Sequence, residues 1–327
     1  MRLLRNLLVI TIVVSLATAC STEPDLIYLK SDQGNAVPAF SADSAFHFVE
    51  RQVSFGPRVP NTEAHRAAAE WKLDVLRQYA GASGVYAQRF RQPGYDGDTL
   101  DLVNIIAAFN PMSTDRIMIC AHWDSRPRSD ADADPALASQ PVLGADDGGS
   151  GVAVLLELAR IFRDNPPPIG VDIVLFDGED YGREGDLANY FLGSRYWAQN
   201  PPVPGYQPRF GILLDMVGGK GARFPKEVYS LNAAPNLVNE IWSLAGQMGY
   251  SEMFPDEIGL PIQDDHVILN QYTSFSTIDI IHHRRPFGDM TGFPDYWHTS
   301  RDNLDIIDPK VLDAVGKLMV ELIYNRL

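Results

Sequence analysis

The segment GADDGGSGVAVLLELARIFRDNPPPIGVDIVLFD, residues 144–177, establishes the fold class of this 327-residue chain. A glycine-rich loop leads into an apolar helical pattern at 151–163, and a proline run separates that helix from the β-branched run at 171–177. Alternation of helix and strand is typical of α/β proteins, in which helices cover both faces of a mostly parallel sheet.

The same alternation continues in both directions along the chain. Helical patterns occupy 61–81 and 235–248, and a last helix carries apolar residues from Val311 to Ile323. The remaining strand candidates are the apolar runs at 104–109, 116–123, 210–217, 228–231 and 274–281. A chain of this length can bury a full core, so we expect one large domain, residues 43–327.

Five acidic or imidazole side chains follow these runs or the turns after them: His122, Asp147, Asp180, Asp215 and His298. In a mostly parallel sheet, ligands bind beyond the carboxyl ends of the strands, so all five side chains can reach one crevice. Zinc binds imidazole nitrogen and carboxylate oxygen, and a catalytic zinc keeps one position open. Two histidines and three carboxylates are sufficient for one or two such ions.

Two further carboxylates lie next to these candidate ligands. Glu179 precedes Asp180, so one carboxylate of the pair can bind metal while Glu179 faces the substrate as general base and acid. Asp124, two residues after His122, can accept the second imidazole N–H. Any one of these residues alone could be a turn former or a solvated charge, so the metal site rests on their joint pattern. We expect the other histidines to be surface or packed residues: His47, His65, His266, His282 and His283.

The first residues are typical of a signal peptide, residues 1–19. Two arginines precede a short apolar run that is too short to span a bilayer. The sequence ATAC that ends at Cys20 resembles a bacterial lipobox, which predicts a lipidated Cys20 and a tether over 20–42. We therefore expect an exported lipoprotein of the periplasm or cell envelope, anchored to a membrane, and Ser21 is compatible with the outer membrane. Plain secretion with a free Cys20 is the alternative.

Cysteine content and net charge limit the disulfide bonds and the binding partners that we expect. The chain has two cysteines, so lipidation of Cys20 would leave Cys120 without a disulfide partner, and we expect Cys120 to be a buried thiol in the core. Removing Arg2 and Arg5 with the signal peptide changes the net charge from −15 to −17. This acidity argues against a nucleic-acid partner.

Several motifs together resemble the zinc-dependent M28 peptidase clan over residues 46–327. They are HxD from His122, GADDGGSG, GED ending at Asp180, LDMVG around Asp215, and WHT around His298. Within this clan, IQDDH at 262–266 and FPDYWHTSRDNLD at 293–305 are similar to glutaminyl cyclases. AHWDSRP and GEDYG are similar to the bacterial lipoprotein members of that group.

The resemblance implies a three-layer α/β sandwich of the phosphorylase/hydrolase-like type, with a central mixed, mostly parallel sheet flanked by helices. It also implies one catalytic zinc, and by position in the motifs it assigns the residues: Asp147, Asp180 and His298 as zinc ligands, Glu179 as proton shuttle, Asp215 and Asp264 as acidic relay residues, and Gln263 and Trp297 in the substrate pocket. Many members have Glu at the position of Asp180, so the backbone has to approach the zinc more closely here.

The motifs shared with this clan are compatible with two different reactions. His122 and Asp215 occupy the positions that hold a second zinc in two-zinc aminopeptidases, which hydrolyse N-terminal residues with activated water. A glutaminyl cyclase needs one zinc, because the α-amine of the substrate is the nucleophile, and it needs a pocket that excludes water. The candidate walls of that pocket are aromatic: Trp297, Tyr296, Phe293 and Phe287.

The IQDDH and WHT contexts favour the cyclase. We predict a zinc-dependent glutaminyl-peptide cyclotransferase that converts N-terminal glutamine of peptides or proteins to pyroglutamate and releases ammonia, with one zinc, and with two if it is an aminopeptidase. A binding module that kept the fold and lost activity is a third hypothesis, but such a protein should lack ligands and none is missing here. We expect a monomer.

Overall fold

The computed structural model describes residues 28–183, 185–284 and 292–327. These residues form one mixed sheet of six strands: β1 (Val85–Pro93), β2 (Thr99–Phe109), β3 (Arg116–His122), β4 (Gly170–Phe176), β5 (Gly211–Asp215) and β6 (Thr277–Ile281). The order is β1-β2-β4-β3-β5-β6. β4, β3, β5 and β6 run parallel, whereas β2 is antiparallel to both β1 and β4. The predicted mixed, mostly parallel sheet is confirmed.

The sheet is covered on both faces by helices: α1 (Ala42–Val53), α2 (Glu63–Ala80), α3 (Gly149–Asp164), α4 (Leu192–Gln199), α5 (Val228–Ala233), α6 (Pro235–Gln247), α7 (Asp265–Tyr272) and α8 (Pro309–Glu321). Alternate residues of β3 face opposite sides, as the period of a strand requires. Ile117 and Ile119 pack into the larger core with α1, α2, α3, α6 and α8. Met118 and Cys120 pack into a smaller core with α4 and α7. Cys120 is a fully buried free thiol, as predicted.

Most predicted elements are present, with one misassignment. The pattern at 61–81 is α2, which Thr62 caps by accepting the N–H of His65 and which ends before Gly81 at φ 77°. The strand predicted at 228–231 is wrong, because those residues belong to helix α5. The carboxylate of Glu227 accepts the N–H groups of Tyr229 and Ser230 and so caps the start of this helix.

The described part of the N-terminal segment is attached to the domain. The backbone N–H groups of Tyr28 and Leu29 donate to Glu240, and that of Asn35 donates to the side chain of Asn325. Phe40 is buried in the larger core. From Tyr28 onward the predicted tether is therefore in contact with the domain.

The predicted signal peptide and the lipidation site Cys20 lie outside the described residues. Among the residues that are described, no helix combines the length and the apolar character needed to cross a membrane.

Candidate metal centre and active-site cavity

The five side chains singled out from the sequence meet at the carboxyl edge of the parallel strands. His122 ends β3, Asp215 ends β5, and Asp180 follows β4. Asp147 lies in the loop before α3, and His298 comes from the loop before α8. They form two groups in which all ligand atoms lie within 4.8 Å of one another: His122, Asp147 and Asp215, and Asp147, Asp180 and His298.

Asp147 is common to both groups because its two oxygens face different histidines. Its Oδ1 lies 3.0 Å from His122 Nε2, which is 3.3 Å from Asp215 Oδ1. Its Oδ2 lies 3.7 Å from His298 Nε2, which is 3.3 Å from Asp180 Oδ1. Each of the three carboxylates thus has an oxygen within 3.7 Å of an imidazole nitrogen.

The unsatisfied atoms of this cluster fit a bound cation. Among the described residues, Asp180 Oδ2 and Asp215 Oδ1 are buried side-chain oxygens without a hydrogen-bond partner. Burying carboxylates without compensation is costly, and a cation between them supplies that compensation. Imidazole nitrogen and carboxylate oxygen are ligands that zinc prefers. The donor set therefore fits zinc.

Local sequence explains why Asp147 points into the cluster. A Cβ at Gly151 would lie 2.1 Å from the carbonyl oxygen of Leu214, so only glycine lets α3 start this close to β5. The Asp302 carboxylate accepts the N–H groups of Asp146 at 2.8 Å and Asp147 at 3.1 Å. Asp302 was missed at the sequence level, although it lies in the cyclase-like segment 293–305.

His298 is held in a strained conformation. Its φ is 54°, in the left-handed region that residues with a Cβ rarely adopt, and Met216, directly after Asp215, has φ 47°. The ring of Trp297 stacks on the His298 imidazole with centroids 3.5 Å apart, and Phe293 stacks on Trp297 at 4.5 Å. Strain of this kind persists where surrounding contacts enforce it, and it is common at functional sites.

Asp124 lies beside His122 but contacts the backbone more closely than the ring. Its carboxylate is 3.5 Å from His122 Nδ1, and among the described residues that nitrogen has no hydrogen-bond partner. The same carboxylate accepts the N–H groups of Glu179 at 3.0 Å and Asp180 at 3.2 Å. Asp124 therefore has a 3.5 Å ion-pair contact with the imidazole, and it also orients the turn that carries the two acidic side chains.

Glu179 has the surroundings of a group that can hold a proton. Its Oε2 lies 3.8 Å from His122 Nδ1, and its side chain is 13% exposed. Burial raises the pKa of Glu179 well above its usual value; His122 opposes this, and Asp180 and Asp264 add to it. For Asp180, His298 and Arg126 outweigh burial and hold the pKa below its ordinary value.

Next to the cavity lies a second group of buried acids, of which Asp264 lines the cavity wall. Burial raises the pKa of Asp264 and Asp279 well above its usual value, and that of Asp265 to about 7. His266 lies between Glu227, 3.0 Å from Nε2, and Asp279, 3.6 Å from Nδ1. Only Asp264 was predicted; the signal for Asp279 was an acid inside the apolar run TIDII.

A cavity of about 330 Å³ opens onto the cluster. Gln263, Trp297 and Phe293 line it, together with Glu179 and mostly apolar neighbours: Leu187, Tyr190, Phe191, Met216, Leu260, Pro261, Ile262 and Ile281. The prediction for Tyr296 as a wall is wrong, because its hydroxyl turns inward and donates to Asp146 Oδ2 at 2.6 Å. Phe287 lies outside the described residues.

A three-layer α/β fold with a carboxylate–imidazole cluster at the carboxyl edge of its sheet is typical of metal-dependent α/β enzymes. The model of Peptidase family M28 matches residues 104–323. The chain belongs to this zinc-dependent family.

Several known proteins are similar to this chain in sequence or in structure. The glutaminyl-peptide cyclotransferase of Bothrops jararaca is 28% identical over 312 residues, covering 79% of this chain and 80% of that protein. The structure of Porphyromonas gingivalis glutaminyl cyclase is similar with a TM-score of 0.83 and 47% identity, over 88% of this chain and 98% of that one. A Zn-dependent exopeptidase from Parabacteroides distasonis gives a TM-score of 0.85 and 46% identity, over 89% and 100%.

Proposed function

We propose that the protein is a glutaminyl-peptide cyclotransferase, which converts the N-terminal glutamine of a peptide or protein to pyroglutamate and releases ammonia. Its relatives with that name, at 28% identity in sequence and 47% in a solved structure, support this function. The observation that carries the proposal is the position of Glu179, which lines the same cavity as the Asp147, Asp180 and His298 cluster.

The metal side of the site would consist of Asp147, Asp180 and His298, and we propose one zinc ion per chain. A zinc bound there would polarise the γ-carboxamide carbonyl of the glutamine side chain. The remaining steps belong to the protein's own residues.

Glu179 would carry the proton. The α-amine nitrogen forms a bond to the carboxamide carbon Cδ, and the bond from Cδ to the amide nitrogen Nε2 breaks. Glu179 accepts a proton from the attacking amine and delivers it to the leaving nitrogen, which departs as ammonia. A carboxyl whose pKa is raised by burial suits both directions of transfer. The buried acids around Asp264 would hold further protons behind it.

The cavity would favour ring closure over hydrolysis. Its walls next to the cluster are largely apolar, and Trp297 covers one side of His298. Excluding water protects the reaction from the competing nucleophile, and holding the amine near the carboxamide contributes much of the rate gain. Gln263, whose Nε2 donates to the Tyr229 hydroxyl at 3.0 Å, lies where it can contact the substrate.

A two-zinc aminopeptidase is the second candidate, because His122, Asp147 and Asp215 form an equally buried group. The two functions are separated by incubating the purified domain with Gln-peptides and with aminoacyl anilides, and by measuring zinc per chain. Ammonia release with a blocked N-terminus and one zinc supports the cyclase. Free amino acids with two tightly bound zinc ions would refute it.

Export remains a proposal that rests on the sequence of residues 1–20. We infer that the chain is a lipoprotein attached through Cys20 to a cell-envelope membrane, with the catalytic domain a monomer. Labelling with a fatty acid should mark the full chain and not its Cys20→Ala variant, and light scattering should give the mass of one domain. An unlabelled full chain would indicate plain secretion, and a dimer mass would contradict the monomer.

A further inference from the structure

A single arginine connects the candidate zinc site to the loop that follows β3. Arg126, four residues after His122, is 2% exposed. Its Nη1 donates to Asp180 Oδ1 at 2.7 Å. Its Nε and Nη2 donate to the two carboxylate oxygens of Asp130, both at 2.6 Å, and Nη2 also donates to the Tyr190 hydroxyl at 3.1 Å. One guanidinium therefore binds a candidate zinc ligand and a second carboxylate together.

The same loop also contacts the segment that carries the other end of the site. Asp130 Oδ1 lies 3.9 Å from His298 Nδ1. The N–H of Ala131 donates to the His298 carbonyl at 3.2 Å. The Asp132 carboxylate accepts the N–H of Ser300 at 3.0 Å and its hydroxyl at 2.6 Å. The loop thus contacts the strained residue His298 itself and Ser300, two residues after it.

We propose that Arg126 and Asp130 form a positioning pair that holds Asp180 and His298 in the arrangement that binds the metal. Bidentate arginine–carboxylate contacts fix geometry in a way that a point charge does not. The pair matters here because Asp180 has a short side chain, so its reach depends on where its carboxylate is held. This inference rests on the zinc centre of the proposed function.

The charge of Arg126 and its positioning role predict opposite changes in zinc affinity when the residue is removed, so the direction of the change tests the proposal. The guanidinium is positive and would repel a cation, so its removal by charge alone should strengthen zinc binding. The bidentate contact with Asp130 offsets that charge, which leaves orientation of Asp180 as the main contribution of Arg126. A purely structural ion pair would change stability and leave zinc affinity unchanged.

The test measures zinc affinity of the full domain by competition with a chelating dye, together with the melting temperature with and without zinc. Arg126→Gln should weaken zinc binding about 10- to 100-fold, as loss of a residue that orients a metal ligand does. Arg126→Lys keeps the charge but not the fork geometry, so it should restore little of the affinity. Asp130→Asn should weaken binding as well, because it both frees the loop and leaves the guanidinium charge uncompensated.

Arg128→Gln is the matched control. Arg128 lies in the same loop and donates to Asp130 at 3.2 Å, but its other partners are the Gly182 carbonyl and the Tyr95 ring. It should bind zinc within a few-fold of the parent. Zinc affinity that is unchanged or tighter in Arg126→Gln overturns the proposal, and if that variant does not fold, unchanged affinity in Asp130→Asn does so. Because affinity is read without substrate, a domain that binds zinc normally but releases no ammonia would refute the cyclase alone.

Discussion

Replacing Glu179 with glutamine should abolish turnover while leaving the metal site in place. Glutamine has the same shape, and the backbone N–H at this position would keep its 3.0 Å bond to Asp124. The amide cannot accept the proton of the attacking amine, and it cannot deliver one to the leaving nitrogen. The candidate zinc ligands are untouched by the change.

The expected loss follows from the two proton transfers assigned to one side chain. General acid–base catalysis by a positioned group contributes about 10²- to 10⁴-fold, which corresponds to about 3–5 kcal/mol of barrier. The Glu179 side chain is 13% exposed, so bulk water is a poor substitute for it. We therefore expect kcat to fall at least about 10³-fold, in the upper half of that range.

The assay follows ammonia release from a Gln-peptide, with zinc content measured on the same preparation. Glu70→Gln is the control, because Glu70 pairs with Arg89 on the surface and should show parent-like turnover. Activity within 10-fold of the parent in Glu179→Gln would show that another group carries the proton. Loss of zinc from that variant would show that Glu179 is a ligand instead.

Three further substitutions probe stability and substrate positioning. His266 and backbone N–H groups outweigh burial and lower the pKa of Glu227 to about 2, so its contribution to stability is present above pH about 4.5 and disappears as the pH falls towards 2. Glu227→Gln should lower the free energy of unfolding, measured in urea at pH 7, by about 3 kcal/mol. It should also reduce the loss of stability as the pH falls towards 2, and an unchanged pH dependence would contradict this. Burial lowers the pKa of Lys72, whose amine has no hydrogen-bond partner among the described residues. Lys72→Met should therefore stabilise the fold by about 1–3 kcal/mol. The parent should lose stability as the pH falls below about 10, where Lys72 becomes charged in the unfolded chain, and the variant should not. A lower melting temperature of the variant would refute this. Trp297→Ala removes the ring stacked on His298 and should lower kcat/KM about 100-fold, and a value near the parent would exclude a positioning role.

The central strands were predictable because they are buried on both faces and appear as continuous apolar runs. The edge strand β1 was not, because one of its buried positions is the polar residue Gln88, so its sequence lacks a regular apolar–polar alternation. Helix α7 was also missed: it spans eight residues and starts where the Asp264 side chain accepts the N–H of Asp265. Short elements of this kind depend on a cap and on tertiary contacts more than on periodicity.

The candidate ligands could be found because each follows a strand or precedes a helix in a short motif. The residues that orient them could not, because their partners are far away in the sequence. Asp302 binds a loop about 155 positions earlier, and Arg126 reaches Asp180 across 54 residues. Tyr296 was misplaced for the same reason. It lies next to the site motif in the sequence, but its hydroxyl turns away from the cavity and donates to Asp146.

X-ray diffraction from crystals of the zinc-loaded protein, collected on both sides of the zinc absorption edge, tests the central claim most directly. We predict one strong anomalous peak about 2.0–2.2 Å from His298 Nε2 and from a carboxylate oxygen of Asp147 and of Asp180. A peak confined to the space between His122 and Asp215, or no peak at either position, would contradict the proposed metal centre.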